Sequence, residues 1–263
     1  MTTKTLQATA SPSPIIDIAV SLLDALRARP VRVHAITNAA AQVFTANLLL
    51  AAGAIPSLTY ARDEVEAFTA RADALLVNLG TLDGERRAGI LAAIETAHAN
   101  AKPFILDPVF VDRSPPRLAW AKTLLMERPA ILRCNAAEFE ALSGAGAEAD
   151  ALKASAREWR CVIALTGETD IVTDGERVVR TANGHPLMTR VTAMGCAGTA
   201  LAAAFAALEA DAFVAAAAAL VCLGVAGEVA AAKASGPGTF QPAILDALYS
   251  LDAETLRAKA RLS

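Results

Sequence analysis

The chain has 263 residues and few aromatics: 8 Phe, 2 Trp and 2 Tyr. Its core must therefore rest on aliphatic side chains and alanine. The three histidines, His34, His98 and His185, lie far apart, and none has metal-ligand spacing. The four cysteines, Cys134, Cys161, Cys196 and Cys222, show no CxxC spacing. That excludes a zinc ribbon and leaves reduced thiols in a cytoplasmic protein as the simplest reading. There is no basic excess, with 24 Lys and Arg against 27 Asp and Glu and a net charge of −3. Phosphate backbones and anionic membrane surfaces select for clustered Lys and Arg, so neither nucleic acid nor a membrane is an expected partner. The opening MTTKTLQATASPSP lacks the apolar stretch of a secretory signal. Residues 1–14 are expected to form a flexible leader, followed by a single domain over 15–263. A membrane-spanning helix needs about 20 apolar residues. The longest suspicious run, 212–227, falls short, is mostly alanine, and reads as a buried helix. GxxxxGK[ST], a GxGxxG after a strand, and GxSxG are all missing. A Walker-type NTPase, a dinucleotide fold and a hydrolase nucleophile elbow are thereby set aside.

What is present is alanine, 63 residues of it, and a series of short Val/Ile/Leu runs. Runs at 31–37, 74–80, 103–109, 130–135 and 161–166 are apolar throughout rather than alternating, as in parallel strands covered on both faces. Helix-like stretches lie between them, at 39–52, 64–72, 84–101, 136–143 and 148–159. Alternation of this kind predicts an α/β fold with right-handed crossovers. A hairpin over 171–180, turning at Asp174-Gly175, precedes alanine-rich helices from Cys196 onward. Ligands of open α/β sheets bind beyond the carboxyl ends of the strands. Those ends carry Thr37-Asn38, Asn78 with Gly80-Thr81, Asp107-Pro108, Arg133 with Asn135 and Glu138, and Thr166-Gly167. Polar termini in register point to a small-molecule enzyme.

The densest chemical signal is VTAMGCAGT (191–199), a loop of small residues opening an apolar helix. Unpaired N–H groups and the helix dipole there form an anion hole around Met194 and Gly195, able to stabilise a transferring phosphoryl group. Cys196 near that helix start is expected to have a lowered pKa and to act as a base or as a polar contact to an alcohol. A small cysteine packing a tight turn is the equal alternative. Asp107 and Glu138 suit Mg²⁺, which takes few carboxylates together with waters and phosphates. Arg133 would then meet a phosphate. A capping box between Asn135 and Glu138 explains the same spacing. Thr166-Gly167 at a strand end can touch a nucleotide phosphate.

Together these segments resemble the hydroxyethylthiazole kinases of the ribokinase-like superfamily. The matching pieces are VHAITN (33–38), FTANLLLAAGA (44–54), LLVNLGTL (75–82), ILDPV (105–109), RCNAAE (133–138), LTGETDIVTDGERV (165–178), NGHPLMTRVTAMGC (183–196) and SGPGTF (235–240). They fall in the family's order over roughly residues 31–250. The resemblance implies a ribokinase-like three-layer α/β/α sandwich with a mostly parallel central sheet. It implies ATP-dependent phosphorylation of the alcohol of 4-methyl-5-(2-hydroxyethyl)thiazole, toward thiamine, with Mg²⁺, in a homotrimer with sites at subunit interfaces. By position, Cys196 matches the catalytic cysteine, Arg133 and Thr166 match ATP-binding residues, and Asp107 and Glu138 match the acidic pair near Mg²⁺. Leu58, Ala193 and Asn38 match substrate-contacting positions. The departures are Ala193-Met194 where the family usually has Gly-Thr, Leu58 for a Met, and Cys134 for the Gly of Arg-Gly-Asn. A positive φ at Ala193 would strain the loop, and Met194 is expected to add bulk beside the reacting groups. Rivals are a kinase for another small alcohol, a nucleotide-dependent hydrate dehydratase on the same scaffold, and a non-catalytic binding protein.

Overall fold

A strand that is apolar at every position needs cover on both faces, and the strands are used in that way. The computed structural model describes residues 12–263. Its strands are β1 (Arg32–Ile36), β2 (Ile55–Ser57), β3 (Ala74–Asn78), β4 (Phe104–Asp107), β5 (Ile131–Asn135), β6 (Val162–Thr166), β7 (Asp170–Thr173) and β8 (Val178–Thr181). They form one sheet in the order β2-β1-β3-β4-β5-β6-β7-β8. The pairings from β2 through β6 are parallel, and β7 and β8 add antiparallel. The helices are α1 (Pro12–Ala28), α2 (Gln42–Ala52), α3 (Val65–Arg71), α4 (Gly84–Ala99), α5 (Pro115–Leu125), α6 (Ala136–Ser143), α7 (Ala149–Trp159), α8 (Met194–Ala206), α9 (Ala212–Ala231), α10 (Pro237–Tyr249) and α11 (Ala253–Lys259).

Successive strand residues enter two separate cores. Ala74, Leu76, Ile105, Ile131, Val162 and Ala164 pack with α1, α2 and α8–α11. Leu75, Val77, Phe104, Leu106, Leu132, Ile163 and Leu165 pack with α3–α7. The result is the expected three layers. The five expected parallel strands are all present, each trimmed by one to three residues. The hairpin is also present: Asp174 Oδ1 accepts from the N–H groups of Glu176 and Arg177 at 2.9 and 2.7 Å, and Gly175 takes φ +99°. The chain end completes that edge, where Arg180 and Ser263 exchange backbone hydrogen bonds at 2.9 and 3.0 Å.

Three elements go beyond the sequence reading. β2 is a three-residue edge strand holding Pro56, which an edge tolerates because one side of it needs no ladder partner. α5 starts at Pro115-Pro116, which reads as a loop but also preorganises a first helical turn. α1 begins at Pro12. Of the expected leader, residues 1–11 lie outside the described residues, and residues 12–14 open α1. The run at 212–227 lies within α9, whose 20 residues are long enough to cross a membrane. Its apolar window is 78% buried inside the fold, so α9 is a core helix, sandwiched against α8, α10 and α1.

The α8–α9 layer is packed through alanine. Ala200, Ala203, Ala204, Ala215, Ala216 and Ala218 are fully buried. Overfilling such a contact typically costs about 1–3 kcal/mol. Ala203→Leu is expected to lower stability by that amount in thermal and urea melts. An unchanged midpoint would show that this contact has spare volume.

Candidate active site

Because β1 and β3–β6 run parallel, their carboxyl ends lie along one edge, and α8 packs over β3, β4 and β1 beside it. Register fixes the neighbours: Asn78 lies opposite Asp107, and Asn135 opposite Thr166. Asn38, two residues past β1, donates through Nδ2 to Asn78 Oδ1 at 3.1 Å and to Cys196 Sγ at 3.4 Å. Gly80 makes this approach possible, because a Cβ there would collide with the Asn38 side chain. The loops after β1 and β3 are tied as well, with Ala39 N donating to Thr81 Oγ1 at 3.3 Å.

Asp107 is completely buried at the end of β4. Its Oδ2 accepts from Thr199 Oγ1 at 2.9 Å, while its Oδ1 has no partner. Burial raises its pKa, and Arg133, Thr199, the Asn78 amide and the Val109 N–H oppose the rise. Glu138 is 4% exposed and acts as a clamp. Its Oε2 accepts from Asn135 N at 2.9 Å, completing the capping box, and its Oε1 accepts from Phe110 N at 2.8 Å. That second bond holds Phe110 in the left-handed region at φ +58°. Burial raises the Glu138 pKa too, and the nearby Asp107 carboxyl adds to the rise. Among the described residues no group of three or more His, Cys, Asp or Glu forms a metal cage. A buried carboxylate oxygen without a donor, beside a second carboxylate, still fits Mg²⁺ in its mode of few carboxylates plus waters and phosphates.

Arg133 is the one cation that these carboxyls share. It acts on Asp107 and Glu138, and also on Asp170 at the start of β7. It makes no ion pair within 4.0 Å among the described residues. Its guanidinium lies against Gly195, where a Cβ would stand 2.7 Å from both terminal nitrogens. Glycine is thus the residue that lets the cation reach the α8 terminus. The N-cap of α8 is Ala193, which offers no side-chain acceptor. The first helical bond there is Ala197 N to Ala193 O at 2.9 Å, so the N–H groups of Met194, Gly195 and Cys196 are left free of helical partners. An uncapped helix start beside a guanidinium has the donors and the charge to hold an anion. Thr166 ends β6 and donates to Cys134 O at 3.4 Å. Gly167 N, next in line, is held by Asp170 Oδ1 at 2.9 Å.

Two expectations need correction. Cys196 does not have a lowered pKa. Burial pushes it up to about 12, with the Asp107 carboxyl adding to the rise and Asn78, Arg133 and Asn38 opposing it; burial outweighs the helix terminus. Nor does Met194 crowd the reacting groups. Its side chain is 6% exposed and belongs to the core shared with α2, α8 and α9. Ala193 does take φ +68°, so the loop carries the strain that alanine brings to the left-handed region. Cys196, Asn38, Asp107, Arg133, Glu138 and the 193–195 loop are brought together. Leu58 is half-buried past β2, at the sheet's edge, and makes none of these hydrogen bonds. Three residues gain a role only from tertiary structure. Thr199, one helical turn after Gly195, bonds both Asp107 and Gly195 O. Asp170 has its pKa raised by burial to about 6. Asn78 joins Asn38 to the site, and its place at a strand end was the only signal for it.

The model of the "Hydroxyethylthiazole kinase family" matches residues 23–254. The hydroxyethylthiazole kinase of Granulibacter bethesdensis is 45% identical over 255 residues, covering 92% of this chain and 93% of that one. The solved hydroxyethylthiazole kinase protein of Pyrococcus horikoshii OT3 superposes with a TM-score of 0.90 at 36% identity, covering 94% and 98% of the two chains. A ribokinase-like superfamily protein from Enterococcus faecalis V583, 13% identical, shares the fold with a TM-score of 0.67, covering 94% and 98%.

Ala193→Gly is expected to relieve the left-handed strain and raise stability by about 1 kcal/mol. For a chain of this size that is about 2–4 °C in Tm; no gain would mean that the loop holds alanine there without strain. Asp170 yields a pH prediction. Folded, it keeps its proton up to about pH 6; unfolded, it loses it near pH 4. The folded chain therefore binds more protons in that window, and this group's contribution to stability is lost as pH rises from about 4 to 6. Asp170→Asn keeps an acceptor for Gly167 N and removes the loss. Without nucleotide, its Tm should exceed wild type at pH 8 and match it at pH 4. An equal gap at both pH values would contradict the raised pKa.

Proposed function

The chain belongs to the hydroxyethylthiazole kinase family, and from that premise we propose that this site moves the γ-phosphoryl group of ATP to the hydroxyl of 4-methyl-5-(2-hydroxyethyl)thiazole. Phosphorylation of this thiazole is a step of thiamine biosynthesis and salvage. The observation that carries the assignment to this site is the uncapped start of α8 beneath Arg133, a guanidinium without an ion-pair partner. It sits where phosphate oxygens would be held, one residue from Cys196.

Phosphoryl transfer passes through a loose transition state, so positioning and charge stabilisation carry most of the catalysis. In this reading Thr166 and Arg133 bind the phosphates of ATP. The N–H groups of Met194 and Gly195 stabilise the transferring group. Asp107 and Glu138 would hold Mg²⁺, which when bound neutralises phosphate charge. Cys196 contacts the reacting hydroxyl. With its pKa near 12 it is a thiol at neutral pH, so it acts as a polar wall that orients the alcohol rather than as a ready base. The alcohol oxygen bonds to the γ-phosphorus, and the bond from that phosphorus to the β–γ bridging oxygen breaks. ADP leaves with that electron pair, and the hydroxyl proton passes to an oxygen of the transferred group. Leu58, Ala193 and Asn38 line the thiazole side.

A homotrimer with sites between subunits suits the β2 edge. Val43 and Leu50 share one face of α2 and are 74% and 57% exposed, and Ile55 and Phe68 are each 42% exposed. A cavity of about 300 Å³ opens there between β2 and α3. A second copy against this edge would cover apolar surface and approach Leu58. The four cysteines are all free thiols, which suits the cytoplasm.

The test is ADP formation from ATP and Mg²⁺ with and without hydroxyethylthiazole. Thiazole-dependent turnover is expected, and ATP turnover indifferent to the thiazole would overturn the reading. Cys196→Ala should lower kcat about 100-fold, the worth of lost positioning, and leave the KM for ATP within about twofold. Cys196→Asp, which keeps a polar group facing the alcohol, should retain turnover. An unchanged kcat in Cys196→Ala would remove Cys196 from the alcohol site.

A further inference from the structure

We propose that Asn78 is a catalytic residue of the alcohol site, its Nδ2 donating a hydrogen bond to the oxygen of the reacting hydroxyl. The inference rests on the phosphotransferase reading above and names the group that holds the acceptor oxygen.

The first support is orientation. Asn78 is fully buried at the end of β3, beside Asp107 on β4. Its Oδ1 accepts two hydrogen bonds, from Asn38 Nδ2 at 3.1 Å and from Gly80 N at 3.0 Å. A flipped amide would set its NH₂ against two donors, so the flip is excluded. The amide N–H groups must therefore face away from Asn38 and Gly80.

The second support is what lies on that side. The amide N–H groups are directed at the Asp107 carboxyl and the Cys196 thiol, and donation toward them favours their charged forms. Yet Nδ2 is buried and completes no well-formed hydrogen bond with either group, or with any other among the described residues. A buried unpaired donor is costly, and in a native fold it calls for a partner. The group that phosphoryl transfer brings beside Cys196 is an alcohol, whose oxygen has two lone pairs. One can accept from Asn78 while the other faces the phosphorus. The donor is neither consumed nor deprotonated, and the bond changes are those given above. Holding the nucleophile in line in this way is the positioning that such transfers depend on.

The rival account gives Asn78 only its Oδ1 role, bracing Asn38 and the turn at Gly80. Asn78→Asp separates the two, since it keeps an acceptor for both donors and removes the NH₂. The assay measures the Kd of two probes by calorimetry: hydroxyethylthiazole, and 5-ethyl-4-methylthiazole, which lacks the hydroxyl. Asn78→Asp is expected to weaken the first about tenfold, the worth of one hydrogen bond, and the second less than twofold. kcat should fall in the same variant. Equal weakening of both probes, or of neither, overturns the proposal. If Asn78→Asp does not fold, Asn78→Ala is read through the same ratio, which cancels any general loosening of the pocket. Wild-type protein that binds hydroxyethylthiazole no better than the ethyl analogue and makes no thiazole-dependent ADP fails the kinase reading itself, and the inference with it.

Discussion

Two-sided burial of the parallel sheet is the constraint from which the rest follows. With six helices over one face and five over the other, neither face is open to a ligand. Polar groups can collect only where the strands stop, and parallel strands stop together. Asn78, Asp107 and Thr166 are each the last residue of their strands, and Arg133 lies two residues before the end of its own. The sheet brings these groups together without any of them being adjacent in sequence. α8 then brings its uncapped N-terminus and Cys196 to the same edge, held by Thr199 bonding to Asp107.

The charged groups of this cluster are not paired off among themselves. Three carboxyls surround one guanidinium, and burial raises the pKa of all three. Arg133 completes no ion pair with them, lying instead over Gly195. Burying unpaired charge is unfavourable, and added phosphate and cation charge would balance both signs at once.

Much of this was readable before any fold was known, because the relevant signals were local. Uninterrupted apolar runs marked five of the eight strands, and polar residues at their ends marked the site's edge. Asn135 and Glu138, three apart, formed the expected capping box. β2 was too short to show a pattern, and α5 hid behind two prolines. The Cys196 expectation failed because helix position is local whereas burial is tertiary, and burial prevailed. Met194 was misplaced for a related reason, since sequence gives its backbone position but not which way the side chain turns. Asn78, Thr199 and Asp170 lie inside quoted motifs but had no role assigned there; each matters through a neighbour that only the folded sheet supplies.

The alanine packing of α8 and α9 bears on how this enzyme could change. Alanine has no side-chain rotamers, so ordering this layer sacrifices almost no side-chain entropy. The same absence leaves nothing to repack: a leucine core can absorb a new neighbour by rotating χ angles, and a methyl group cannot. Since α8 itself presents the proposed anion site, a substitution in this layer would be transmitted there as movement of the helix axis. Evolution toward other alcohols would therefore find its latitude at the β2 edge around Leu58, where side chains are long and half-exposed, and little of it behind the catalytic loop.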